Sequence, residues 1–73
     1  MAKQFVMDHT GDRQHSFDKT DVQALARAEQ RFKDLIGFGF TAAVRTTDGS
    51  VSRVHSFDPT ADETLFFPRL VGG

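Results

Sequence analysis

The chain contains no cysteine, no tryptophan and no tyrosine, only two prolines, and no apolar run long enough to span a membrane. Without cysteine there can be no disulfide framework, no thiolate metal site and no cysteine nucleophile, and a reducing cytoplasmic setting is expected. The aromatic residues are eight phenylalanines. None has a polar tip, which favours core packing over surfaces that stack on and hydrogen-bond to bases or sugars. An excess of positive charge is also missing. Nine Lys and Arg residues are scattered along a chain of formal net charge -1, so no clustered basic footprint for nucleic acid is visible in the sequence. The opening MAKQFVMDH lacks the basic, apolar and small-residue succession of a signal peptide, and a soluble intracellular protein with no membrane partner is expected. Seventy-three residues allow one small domain, near the lower limit for a single unstapled core.

What is present is one strongly periodic segment, residues 20–36 (TDVQALARAEQRFKDLI). Val22, Leu25, Ala28, Phe32, Leu35 and Ile36 share one stripe of a 3.6-residue helix, and the polar residues take the other side. Thr20 followed by Gln23 suggests a capping box at the start, and Gly37 a stop.

Around this helix the pattern is short strands and turns. Residues 3–9 (KQFVMDH) and 13–17 (RQHSF) flank Thr10-Gly11-Asp12 and read as a hairpin. A two-residue turn at Gly11-Asp12 would place Val6 opposite Phe17. A three-residue turn would place Phe5 opposite Phe17 and Met7 opposite His15, and is preferred because it gathers three large apolar groups toward the helix. Residues 40–46 (FTAAVRT) and 51–57 (VSRVHSF) form a second hairpin around Asp48-Gly49, with Val44 expected opposite Arg53 and Phe40 opposite Phe57. A partial echo, HSFDKTD at 15–21 and HSFDPTAD at 55–62, supplies in both places an Asp and a Thr for leaving a strand. Residues 59–63 then read as one helical or 3-10 turn, and 64–67 (TLFF) as a last strand ended by Pro68. One helix on one face of a mixed sheet, an α+β fold, buries this pattern most economically.

Most candidate chemistry is weakly supported. His9, His15 and His55 with Asp8 or Asp12 show no recognised metal-ligand spacing. Asp8, Asp12, Asp18 and Asp21 lack calcium-loop spacing, and turns and caps account for them. Ser50, Ser52 and Ser56 have no base arrangement for nucleophilic catalysis, and no enzyme activity is expected. Lys3, Lys19 and Lys33 are the only lysines.

The element order, together with Gln4-Phe5-Val6 and Thr10-Gly11 at the start and Glu63-Thr64-Leu65 with Arg69-Leu70-Val71-Gly72-Gly73 at the end, resembles the β-grasp fold of ubiquitin and the prokaryotic ubiquitin-like modifiers. The likeness covers the whole chain as topology and about a dozen positions as residues. A shorter segment before the last strand, the interrupting Pro68, and Val71 where ubiquitin has arginine set the chain apart from ubiquitin itself. The resemblance implies a domain over 1–67 with a tail over 68–73. It also implies a carboxylate at Gly73 that a partner activating enzyme adenylates with ATP, then passes to a thiol and, through a conjugating enzyme, to target amines. The chain itself would need no cofactor and act as a monomer, and with Gly73 last no trimming would precede activation. Gly72 and Gly73 suit threading through a narrow groove. Arg69 would contact the activating enzyme by charge and Leu70 by apolar packing, and the three lysines would be acceptors for chains. Two other uses stay open: a sulfur carrier with a C-terminal thiocarboxylate, and a noncovalent adaptor whose sheet face or edge binds a partner, with Phe66 and Phe67 near that surface.

Overall fold

Two hairpins, the helix between them and a returning last strand make up the fold. The computed structural model describes residues 1–8 and 11–68. The elements are β1 (Ala2–Asp8), β2 (Gly11–Phe17), α1 (Val22–Gly37), β3 (Phe40–Arg45), β4 (Val51–Val54) and β5 (Glu63–Pro68). The strands form one five-stranded sheet in the order β2-β1-β5-β3-β4. β1 and β5 run parallel, and the other neighbours are antiparallel. One helix on a mixed sheet is thus the observed α+β architecture.

Alternation along each strand decides what faces α1. Ala2 and Val6 from β1, Phe17 from β2, Ala42 and Val44 from β3 and Phe66 from β5 are buried, as are Ala28 and Phe32 of the helix. Phe32 is the hub. Its ring meets Phe66 edge-on at 5.5 Å and Phe57 at 6.1 Å between centroids, a favoured geometry for aromatic pairs.

The helix begins one residue later than the capping-box reading implies. Asp21, not Thr20, is the N-cap, and its carboxylate accepts from the backbone N–H groups of Gln23 and Ala24. Asp is as good a cap as Thr, and Thr20 is already engaged with Asp18, donating to it from both backbone and hydroxyl. Gly37 is the last helical residue rather than the stop. The chain leaves the helix through Phe38 and then Gly39, whose φ of 96° is open to glycine but not to most side chains. The expected apolar stripe is also narrower. Val22 is 79% exposed and Ile36 37% exposed, because both lie on the edge of the stripe away from Ala28 and Phe32.

Both hairpins differ in register from the sequence reading. In the second, Thr46 N–H donates to Ser50 O at 2.8 Å and Gly49 N–H to Thr46 O at 3.0 Å. The loop therefore holds three residues, with Gly49 at φ 89°, the pattern of a turn followed by a left-handed residue. Val44 faces Ser52 and Ala42 faces Val54, one step from the expected pairing. That step sends Val54 toward the helix, and β4 ends at Val54 without reaching Phe57. In the first hairpin neither expected register occurs. Asp8 pairs with Gly11, Val6 with Arg13 and Ala2 with Phe17. Adjacent strand residues must take opposite faces. Val6 faces the helix, so Phe5 and Met7 lie on the other side of the sheet.

The repeated Asp and Thr do the same work twice. Asp58 accepts from the backbone N–H and hydroxyl of Thr60, as Asp18 does from Thr20. Residues 58–61 form a hydrogen-bonded turn, Ala61 N–H to Asp58 O at 3.3 Å, in place of a helical turn. The last strand runs one residue further at each end than expected and includes Pro68, which as its final residue need not extend the ladder.

These aspartates set an acid limit. The Thr46 hydroxyl and then the Ser50 amide hold Asp48 down at about 2. Hydrogen bonds from Thr20 and Thr60 lower Asp18 and Asp58 likewise. Each folded carboxyl is more acidic than its unfolded counterpart, near 3.9. Their stabilisation is therefore present above about pH 4 and is lost as pH falls through the folded values, which for Asp48 is about 2. Melting curves between those limits should show a falling transition temperature, with a shallower fall in Asp48→Asn.

Candidate functional site

The C-terminal segment starts from the middle of the sheet. β5 lies between β1 and β3, with Phe66 beside Val6 and Ala42, and its last residue, Pro68, pairs with Phe40. Arg69, Leu70, Gly72 and Gly73, the sequence-derived candidates, lie outside the described residues, as does His9. What the fold places on view is the strand from which they continue. Phe66, fully buried between two neighbouring strands and under Phe32, ties that strand down.

On the sheet face away from α1, alternation brings together Phe5 and Met7 of β1, Leu65 and Phe67 of β5 and Ala43 of β3. Phe5 and Leu65 are cross-strand neighbours, as are Leu65 and Ala43. Phe5, Met7 and Leu65 line a shallow pocket of about 190 Å³ with Asp12 and Arg45. Phe67, 37% exposed, is the next residue on this face toward the tail. Its partner Phe66 is core, so of the two phenylalanines named from sequence only Phe67 reaches the surface. At the other end of β5, Glu63 sits between Lys3 and Arg45. Its Oε2 is buried without a hydrogen bond among the described residues and is compensated by the Arg45 guanidinium at 3.5 Å. The site is therefore an apolar centre with an ionic border, a surface suited to packing.

The other candidates separate in space. His15 is on β2 at one side of the sheet, and His55 follows β4 at the opposite side. No group of three or more potential metal ligands occurs among the described residues. Asp18, Asp21 and Asp58 are occupied by turns and a cap, and Arg13 pairs with Asp8 at 3.2 Å. Of the lysines, Lys3 is exposed, and Lys33 lies 3.9 Å from Glu29 across one helical turn. Lys19 is held by Asp62 at 2.5 Å and by Thr60 O at 3.5 Å, linking the approach to α1 with the approach to β5.

Sequence reasoning missed Gln4. It is fully buried, donating from Nε2 to Ala28 O at 3.1 Å and accepting from Arg31 at 2.7 Å. A glutamine two residues before a core valine was the available sign, since both must share a face.

Comparison of the chain with protein families, with curated proteins and with solved structures finds no match. No described helix is long and apolar enough to cross a membrane.

Proposed function

We propose that this chain is a ubiquitin-like modifier of the β-grasp kind, activated at the carboxylate of Gly73 and conjugated to amines of target proteins. The observation that carries the proposal is the central, parallel pairing of the last strand with the first, in the sheet order β2-β1-β5-β3-β4. A β-grasp domain has this order, with one helix joining its two hairpins, and here the strand followed by Arg-Leu-x-Gly-Gly is held on both sides. Such an anchor lets an enzyme grip and thread the terminal residues without opening the sheet.

In the first step a carboxylate oxygen of Gly73 attacks the α-phosphate of ATP on the activating enzyme, forming an acyl adenylate and releasing pyrophosphate. An enzyme thiolate then displaces AMP, and a target amine displaces the thiol to leave an amide. Gly72 and Gly73 enter the catalytic groove, while Arg69 and Leu70 bind the activating enzyme. ATP and the thiol belong to partners, and the chain supplies only the acyl group.

The test is incubation with ATP and an adenylating enzyme encoded in the same genome, read by intact mass and by gels with and without reductant. Thiol-sensitive adducts and lysine conjugates that vanish when Gly73 is deleted are expected. A terminal thiocarboxylate would assign sulfur carriage instead, and no Gly73-dependent product would overturn both. The open sheet face favours a second reading, noncovalent docking through Phe5, Met7, Leu65 and Phe67. Partner capture that survives deletion of Gly73 and fails in Leu65→Asp would identify it.

A further inference from the structure

β4 ends at Val54, opposite Ala42, so the chain from His55 to Phe57 leaves the sheet while β3 still extends back to Phe40. That departure leaves a cleft between the end of α1 and the segment after β4. Its larger chamber, about 390 Å³, takes its apolar lining from Phe32, Ile36 and Phe57. A second chamber of about 280 Å³ reaches along the sheet edge past Phe40, Thr41 and Arg53. Ile36 and His55 line both, so the two adjoin. Small-molecule sites are roughly 300–1,000 Å³ in size and combine an apolar wall with a few polar groups.

Two observations point to an occupant. The first is Gly37, the last residue of α1 and part of the larger chamber's lining. Its φ is outside the left-handed region, and a Cβ there would meet nothing within 4 Å. Neither backbone nor packing therefore demands glycine, which is a poor helix former; what the missing side chain does is keep the chamber open. The second is charge. Lys33 has Glu29 at 3.9 Å, whereas Arg53, exposed at the smaller chamber, has no ion pair or hydrogen bond among the described residues. Among those residues Glu29 is the only acid lining either chamber, so one cation is unmatched. The carbonyls of Asp34, Leu35 and Ile36 accept from the N–H groups of Phe38 and Gly39, which reduces the negative potential of the helix end beside the cleft.

We propose that this cleft binds a medium-chain aliphatic monocarboxylate. Its chain lies in the larger chamber against Phe32, Ile36 and Phe57, and its carboxylate turns toward His55 and Arg53. One negative charge answers the unmatched cation, and two adjoining chambers suit an elongated molecule better than a compact ring. The inference uses neither Gly73 nor Phe5, Met7, Leu65 and Phe67, and it stands or falls apart from both readings above.

Sodium decanoate below its micellar concentration is the probe, with decanol and decyltrimethylammonium as controls, followed by calorimetry and amide chemical shifts. Decanoate should saturate one site, with shifts concentrated at residues 36–39 and 53–57, and both controls should bind at least about fivefold more weakly. Gly37→Leu should abolish binding with the melting temperature kept or raised, because leucine favours the helix and enters the open chamber. Arg53→Gln, at an exposed position, should weaken decanoate about fivefold and leave decanol unchanged, and Arg53→Lys should retain most of the affinity. No saturable binding at millimolar decanoate, equal affinity for decanol, or unchanged affinity in Gly37→Leu or in Arg53→Gln would overturn the proposal. So would shifts confined to Phe5, Met7 and Leu65, which would move the ligand to the open sheet face.

Discussion

Phe66→Ala should lower the unfolding free energy by about 3–5 kcal/mol, the range for removing a buried aromatic ring. Phe66 is completely buried on the central strand, with Val6 and Ala42 as strand neighbours and the Phe32 ring edge-on at 5.5 Å. Its removal leaves a cavity that is walled on two sides by hydrogen-bonded strands and above by the helix, so little collapse can offset it. A domain of 73 residues has roughly 4–11 kcal/mol of stability in total, at about 0.05–0.15 per residue. The variant should therefore sit close to its unfolding midpoint under mild conditions. Urea titration followed by circular dichroism checks this. The midpoint should fall sharply with the slope unchanged. Phe67→Ala, one residue along but on the open face, should lose about 1 kcal/mol or less. Equal effects in the two variants would contradict the assignment of faces.

That contrast marks what the sequence could and could not say. The helix was legible because its apolar period runs for four turns, and small errors at Thr20 and Gly37 do not disturb a long pattern. Strand existence was legible for a similar reason. Register was not, because it depends on how many residues a turn contains, and Asp48-Gly49 fits a two-residue loop as readily as the second half of the three-residue loop observed. One residue of error sends Arg53 rather than Val54 to the helix side. In the first hairpin the largest apolar groups were assumed to face the core. The fold instead buries Ala2, Gln4 and Val6, since Ala2 leaves room for Phe17 and Ala28 and Gln4 carries hydrogen bonds to the helix.

The candidate sites divide along the same line. Arg-Leu-x-Gly-Gly is a local motif and can be read without any fold. The open apolar face exists only once register is known, because it joins residues from separate strands. Phe5, Met7 and Leu65 were assigned to other roles while the face was unknown. Arg13 and Arg31 looked like scattered charge for the same reason: eighteen positions separate them in sequence, and the packing of α1 on the sheet brings both beside His15.

Under the proposed activation at Gly73, Gly72→Val should reduce the rate of adenylation by at least about 100-fold, while leaving the melting temperature of the folded body unchanged. The argument is steric. In the proposed activation the terminal carboxylate approaches the α-phosphate of ATP inside a narrow groove of the partner enzyme, and a β-branched side chain next to the reacting residue would displace it. A misplacement of about 1 Å suffices for a loss of that order. Valine also allows fewer backbone angles than the glycine it would replace. Pyrophosphate exchange measured against protein concentration separates two outcomes. A fall in maximal rate with half-saturation preserved means that Arg69 and Leu70 still bind the activating enzyme and that Gly72 serves the approach of the carboxylate. A rise in half-saturation alone would place Gly72 among the binding contacts, and an unchanged rate would remove the glycine pair from the mechanism. Arg69→Ala provides the complementary case: its effect should fall on half-saturation, because a contact made equally before and during the reaction changes binding without changing the maximal rate.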